Sequence, residues 1–330
     1  MSPVAVVTGA TSGVGRATVR ALAERGYDVA LLARNREALE HAREEVEQRG
    51  QRALALPADV SDAEAVEAAG ARAEAELGPI DVWVNDAMAA VLAPLAETSA
   101  EDFRRVTEVT YLGFVHGTMA ALRRMRPRNR GTIVQVGSAL AYRSIPLQAA
   151  YCGAKFATRG FTDSLRTELM HEGSRVHVTM VQLPGLNTPQ FGQVKTTLRR
   201  HPQPVPPIFQ PEVAARAIVW AAEHRRREVW VGASTLKVIL GGFVGPGVAD
   251  RYLARTNVED QQTNLPIEAD RPHYLYEPMP DDQGAHGIFT EQAKQHSAAW
   301  ALSRHRRAIG LGAGAATVAA AGAAIRAARA

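Results

Sequence analysis

The sequence predicts a doubly wound α/β fold built on a parallel sheet of about seven strands. Seven short, almost wholly apolar runs, from "VAVVTGA" near the start to "REVWVGAS" ending at Ser234, alternate with mostly helical segments. Runs that are apolar at nearly every position belong to strands covered on both faces, the pattern of a parallel sheet between helices. A third observation locates the working end: the first run closes in a glycine-rich turn, "TGATSGVG", immediately before the first helical pattern.

The elements follow in order. After "VAVVTGA", the segment "VGRATVRALAERG" places Val14, Ala17, Ala21 and Leu22 at helical spacing and stops at Gly26. "YDVALLAR" is the second strand, "NREALEHAREEVEQRG" an amphipathic helix ending at Gly50, and "RALALPADV" the third strand. Ser61 and Glu64 have the spacing of a capping box for the next helix, which Gly78-Pro79 ends. "IDVWVNDA", "GTIVQVGSA" and "RVHVTMVQL" continue the sheet, and "PEVAARAIVWAAEH" precedes the last strand. Residues 1–235 therefore read as one catalytic domain. Residues 236–307 are rich in Pro, Gly, Asp and Asn with little periodicity, and read as an irregular extension packed along it. Residues 308–330 form an Ala/Gly-rich tail.

Composition narrows the class. The chain has 330 residues, 46% hydrophobic and 22% charged, ample for a buried core. The net charge of +4 comes from scattered basic residues, so no nucleic-acid-binding stripe is expected. The single cysteine, Cys152, permits no intrachain disulfide and fits a reducing compartment; with no leader-like start, the expectation is a cytoplasmic protein. Cys152 reads as a small packing residue. His171, His177 and His201 lack ligand spacing, so no metal is expected.

In the turn, Gly9, Gly13 and Gly15 let backbone N–H groups approach a pyrophosphate at a helix N-terminus, with Thr11, Ser12 and Val14 in the same loop. An acidic residue at the end of the second strand would bind a ribose 2′-hydroxyl and favour NAD(H); Arg34 and Arg36 stand there instead. Guanidinium groups suit a 2′-phosphate, so NADP(H) is expected over NAD(H). Asp59 and Val60, ending the third strand, read equally well as an adenine contact or as a capping aspartate beside a core valine.

Tyr151 and Lys155, in "YCGAK", lie one helical turn apart on one face. A cation beside a phenol lowers its pKa, which equips Tyr151 to exchange a proton with a carbonyl or alcohol oxygen while Lys155 supplies the charge. Ser138 ends the fifth strand, where ligands of open α/β sheets sit, and its hydroxyl is placed to orient the same oxygen.

Together these residues resemble the short-chain dehydrogenase/reductase family over about the first 235 positions. "TGATSGVG" matches its glycine motif, "NDAM" at Asn85–Met88 its N-N-A-G stretch with Asn85 and Ala87 retained, and Ser138, Tyr151 and Lys155 its catalytic set. "LPG" at 183–185 looks like its Pro-Gly turn beside the nicotinamide, which brings Pro184, Gly185 and Thr188 into the cofactor set. The resemblance implies a Rossmann-type domain, a homo-oligomer, and oxidoreduction between a carbonyl and a secondary alcohol on a small to medium, apolar substrate. The long extension resembles that of a bacterial subgroup. Three departures stand out: Thr110 replaces the usual water-binding asparagine, Asp86 and Met88 replace Asn and Gly, and Thr188 follows Gly185 one residue early. They motivate the alternative of a catalytically idle nucleotide-binding scaffold or sensor.

Two segments keep two readings. "LRRHPQPVPPIFQP" falls where the family carries its substrate loop; with Phe191, Ile208 and Phe209 it reads as an apolar pocket lining or as a proline-rich surface connection. Residues 308–325 carry no charge and are flanked by "RHRR" and Arg326, which allows membrane association, although Ala and Gly give little drive for insertion.

Overall fold

The computed structural model describes residues 2–268 and 271–304. Seven parallel strands, β1 (Val4–Thr8), β2 (Asp28–Ala33), β3 (Ala53–Pro57), β4 (Ile80–Asn85), β5 (Thr132–Ser138), β6 (His177–Leu183) and β7 (Glu228–Trp230), form one sheet. Their order is β3-β2-β1-β4-β5-β6-β7. The chain winds outward from β1 to β3, then restarts beside β1 at β4 and winds the other way. The crevice at the C-terminal ends of β1 and β4 is the switch point at which such sheets bind ligands.

Strand side chains alternate between two cores, as a period of two requires. Ala5, Val7, Val29 and Leu31 face helices α1 (Gly13–Glu24) and α2 (Arg36–Glu47) and a later helix at Pro211–Glu223. Val4, Val6, Ala30 and Leu32 face α3 (Ala63–Leu77) and the helices Gly113–Met125 and Ala149–His171. The seven strands and their covering helices occur where the sequence patterns place them. The cap of α3 lies one residue later than expected: the Asp62 carboxylate accepts from the Glu64 and Ala65 N–H groups, because Ser61 is drawn to Asp59 at 2.8 Å.

The extension differs from its expected irregular character at its start. Residues Ala233–Val244 and Pro246–Asp260 are helices. The first is apolar on most faces and rich in glycine near its end, so it shows no amphipathic period to read. Gln262–Pro266 then pairs antiparallel with Arg200–Pro202, fastening the extension to the substrate-loop segment. Residues 271–297 have little regular structure, yet Leu275 is fully buried in the second core, and Trp300, in the helical stretch 298–304, joins the first, edge-on to Trp220 with ring centroids 5.2 Å apart. Phe191 and Ile208 do not line an open pocket: they bury against Phe289 of the extension, and Phe209 enters the first core. The tail from 308 lies outside the described residues; among the described ones no helix is long and apolar enough to cross a membrane.

Because Leu275 fills core space, Leu275→Ala is expected to lower unfolding stability by about 2–5 kcal/mol in a denaturant titration. A change within about 0.5 kcal/mol, the range of surface substitutions, would show that the segment is peripheral.

Candidate active site

The phosphate loop joins β1 to α1 through a very close approach. Gly9 has φ +70°, and a Cβ on it would stand 2.9 Å from Ala87 Cα. A Cβ on Gly15 would lie 2.0 Å from the Gly9 carbonyl oxygen and 2.9 Å from Asp86 Oδ2. These two glycines are thus required by the protein's own packing before any ligand is considered. Gly13 has φ +54° and lies under the Thr188 side chain, 3.1 Å from where its Cβ would be. Thr188 therefore sits at the phosphate loop.

An open cleft runs from this loop across the strand ends. Its walls include Thr11, Ser12 and Val14 from the loop, Arg34 after β2, Asp59 and Val60 after β3, and Asp86, Ala87 and Met88 after β4. A trough of this course, with a backbone-lined loop at its middle and polar groups toward the β2 and β3 ends, fits a dinucleotide.

The other wall was not foreseen. Tyr274, Leu275, Pro278, Met279, Asp281 and Gln283 of the extension close the cleft from outside. This strap is tied down along its length. Arg34 donates to the carbonyls of Tyr274 at 2.5 Å and Tyr276 at 2.6 Å, and Asn35 Nδ2 to that of Met279 at 2.6 Å. The Tyr276 hydroxyl donates to Asp102 at 2.7 Å, and Gly13 N–H donates to the Gly284 carbonyl at 3.0 Å. Arg16, 1% exposed in α1, is held by Glu45 at 2.8 Å and by Asp282 at 3.2 Å.

Several expected site residues take other roles. Arg34 lines the cleft, but both of its terminal amino groups are engaged by the strap. Arg36 is exposed and does not line the cleft. Asn85 is fully buried: its amide donates to Thr118 Oγ1 at 3.1 Å and Gln135 Oε1 at 3.0 Å while it accepts from the Trp83 indole, so it braces the strands from within rather than contacting a cofactor. Asp59 borders the cleft and accepts from Arg105 at 2.5 Å; burial pushes its pKa up, but Arg105 and Ser61 outweigh this and hold it below the usual range. Pro184 and Gly185 follow β6 away from the cleft walls, with the Val205 carbonyl 2.6 Å from a Cβ on Gly185.

Thr110 does not stand in for a water-binding asparagine. Its hydroxyl donates to the Ala89 carbonyl and accepts from the Ala89 N–H, each at 2.8 Å, and it is fully buried. It lies in a π-helical turn, Glu108–Leu112, between Ala100–Thr107 and Gly113–Met125. Such turns are frequent at functional sites. Here the turn presents Thr110 to the chain that leaves β4.

Ser138, Tyr151 and Lys155 come together at the inner end of the cleft without lining it. Ser138 ends β5; Tyr151 and Lys155 lie on the helix Ala149–His171. Lys155 Nζ donates to the Val136 carbonyl at 2.8 Å and stands 5.6 Å from the centre of the Tyr151 ring. The expected lowering of the phenol is not produced by these protein groups: burial raises the Tyr151 pKa, and the Ser138 hydroxyl beside it draws it partly back. Cys152, next to it, is buried. Burial also lowers Lys155 and raises Asp86, each held back by the other's charge; the Asp86 carboxylate is further stabilised by the Gly15 N–H. Asp86 is the residue that the family pattern would make an asparagine, and its charge beside Lys155 has no counterpart in that pattern.

Two outcomes follow from this geometry. A carboxyl group whose folded pKa is raised binds its proton more tightly in the folded chain, so stability falls as pH rises from the usual carboxylate range toward neutrality. Asp86→Asn is expected to flatten that decline in melting temperature, and an unchanged slope would show that Asp86 is not buried as described. Thr110→Val leaves the buried Ala89 N–H and carbonyl without this partner and is expected to cost about 1–3 kcal/mol of stability in a denaturant titration. A neutral result would mean that water replaces the hydroxyl.

The family model described as short chain dehydrogenase matches residues 3–199. Over 276 residues the chain is 33% identical to the uncharacterized oxidoreductase YxnA of Bacillus subtilis, covering 83% of this chain and 78% of that protein. It is 31% identical over 222 residues to the 3-dehydrosphinganine reductase of Danio rerio, covering 65% of this chain and 66% of that one. Among solved structures, an alcohol dehydrogenase from the archaeon Thermococcus sibiricus, complexed with 5-hydroxy-NADP, superposes with a TM-score of 0.60 at 28% identity, covering 69% of this chain and 95% of that one. With the seven-stranded sheet, the glycine loop and the Ser138, Tyr151 and Lys155 set, these matches place the chain in the short-chain dehydrogenase/reductase family of oxidoreductases.

Proposed function

We propose that this oxidoreductase uses NADP(H) to interconvert a carbonyl and a secondary alcohol on a small to medium, apolar substrate. The observation that carries the reading is the meeting of Ser138, Tyr151 and Lys155 at the inner end of a cleft that begins at the phosphate loop. When bound, the nicotinamide cofactor supplies or accepts the hydride. Ser138 holds the substrate oxygen, and Tyr151, protonated at neutral pH because burial raises its pKa, donates the proton that completes an alcohol. In the reverse direction the phenol must lose a proton first; the Ser138 hydroxyl draws its pKa partly down, and Lys155 places a cation 5.6 Å from the centre of its ring.

The absence of an acidic residue after β2, and the position of Arg34 on the cleft wall, support the choice of NADP(H). Cofactor choice then depends on Arg34 serving a 2′-phosphate alongside, or in exchange for, the strap carbonyls. The 5-hydroxy-NADP bound to the Thermococcus enzyme and the name 3-dehydrosphinganine reductase of the Danio relative agree with this reading. We further propose a homo-oligomer and a cytoplasmic location.

NADPH oxidation against a panel of ketones and aldehydes tests the activity. Tyr151→Phe is expected to abolish turnover while cofactor binding persists; turnover at the wild-type rate would refute the mechanism. Arg34→Ala is expected to weaken NADPH by about 1–3 kcal/mol in a binding titration and to leave NADH nearly unaffected. Equal losses would assign Arg34 to the strap alone.

A further inference from the structure

Tyr274 belongs to the strap, 123 residues beyond Tyr151 in the sequence, yet the two rings share an apolar cluster with Met88, Ala90, Leu92 and Val194. The backbone of Tyr274 is held at both its polar groups. Its N–H donates to the Gln193 carbonyl at 3.1 Å, and its carbonyl receives Arg34 at 2.5 Å. The side chain is therefore aimed, not free to wander. Its phenol oxygen interacts with the Ala90 backbone N–H. For its own proton, the acceptor in reach among the described residues is the Met88 thioether sulfur at 4.0 Å, a weak partner. Tyr274 is half-buried on the cleft wall, where a phenol normally satisfies its O–H with oxygen or nitrogen. Burial raises the Tyr274 pKa, and the neighbouring Tyr151 raises it further, so the group is a proton donor throughout the neutral range.

The donor count at the site indicates what this O–H addresses. In the reading proposed above, Ser138 and Tyr151 both hydrogen-bond the reacting oxygen. A carbonyl oxygen has two lone pairs, and those two hydroxyls occupy both. A third hydroxyl arriving from the opposite wall is left for another oxygen of the substrate. We propose that Tyr274 is a substrate-binding residue of this oxidoreductase, and that it selects ketones carrying a second oxygen, such as a hydroxyl, close to the reacting carbonyl. Met88 belongs to the same arrangement: where the family pattern has glycine, its side chain reaches the strap and flanks the Tyr274 hydroxyl with an apolar, weakly accepting surface.

The inference rests on the carbonyl-reductase reading, and one comparison separates the two. Initial rates of NADPH oxidation are measured with acetophenone and with 2-hydroxyacetophenone, for the wild type and for Tyr274→Phe. The wild type is expected to favour the hydroxyketone in kcat/KM, chiefly through a lower KM. Tyr274→Phe is expected to lose about tenfold on the hydroxyketone, the scale of one hydrogen bond, and to keep its rate on acetophenone. Its NADPH affinity and melting temperature should match the wild type. Equal losses on both ketones, a fall in melting temperature of several degrees, or weaker NADPH binding would make the hydroxyl structural or cofactor-directed and overturn the assignment. No difference between the proteins, or no wild-type preference, would overturn it as well. A wild type that oxidises NADPH with neither ketone would refute the carbonyl-reductase reading for this substrate class, and the inference with it.

Discussion

The close approach of α1 to the end of β1 is the constraint on which the rest of the site depends. With a Cβ at Gly15 only 2.0 Å from the Gly9 carbonyl, any other residue there would push the helix off the strand. The Thr8 hydroxyl secures the same corner by accepting from the Asp86 and Ala87 N–H groups at 3.0 and 3.1 Å, which sets the turn after β4 against the phosphate loop. Widening this corner would separate Asp86 from the Gly15 N–H and move Ala87 and Met88 away from the loop. The cleft floor is thus a single packed unit, shaped by the close backbone approach at Gly9 and Gly15 and by the Thr8 hydroxyl.

A second layer is added by the strap. Many of its contacts with the domain are hydrogen bonds to its own carbonyls, from Arg34, Asn35, Arg105 and the Gly13 N–H. Those are donors that a phosphate would otherwise attract. Charged donors on carbonyl acceptors hold well, because they answer groups that would be costly to leave unpaired inside the cleft. Leu275 then anchors the segment in the second core, and Arg16 joins Asp282 to the α2 carboxylate Glu45. Glu45 responds accordingly: burial pushes its pKa up, but Arg20 and Arg16 outweigh that and bring it to about 2.

The departures from the family pattern form a connected set. Asp86 gives Lys155 a neighbouring anion, Met88 reaches the Tyr274 hydroxyl, and Thr110 ties down the backbone at Ala89, the residue after Met88. All three lie on or against the chain leaving β4; Asp86 and Met88 border the cleft that the extension closes, and Thr110 is buried behind it. The residues that match the family's catalytic set, Ser138, Tyr151 and Lys155, are retained beside them.

What the sequence by itself determined was the sheet, its covering helices and the glycine turn, features of short period or short range; the cap of α3 and the two helices that open the extension were not among them. Runs apolar at nearly every position marked the strands of a covered sheet, helical spacing marked the covering layers, and the turn "TGATSGVG" marked the switch point, because pleat, helix pitch and glycine's backbone freedom act within a few residues. The four-residue spacing of Tyr151 and Lys155 belongs to the same class. What only the tertiary structure decided was the partner of each polar group. Arg34 and Tyr276 are 242 residues apart, so nothing local announced that the strap carbonyls would engage the guanidinium. Asn85 and Thr110 have side chains suited to a ligand, and the chain path gave both to the protein interior. Tyr274 sits in a stretch without periodicity, and its place beside Tyr151 exists only because the extension folds back across the strand ends. Hydrogen bonds are short and directional, so their pairing is settled by where distant segments finally lie.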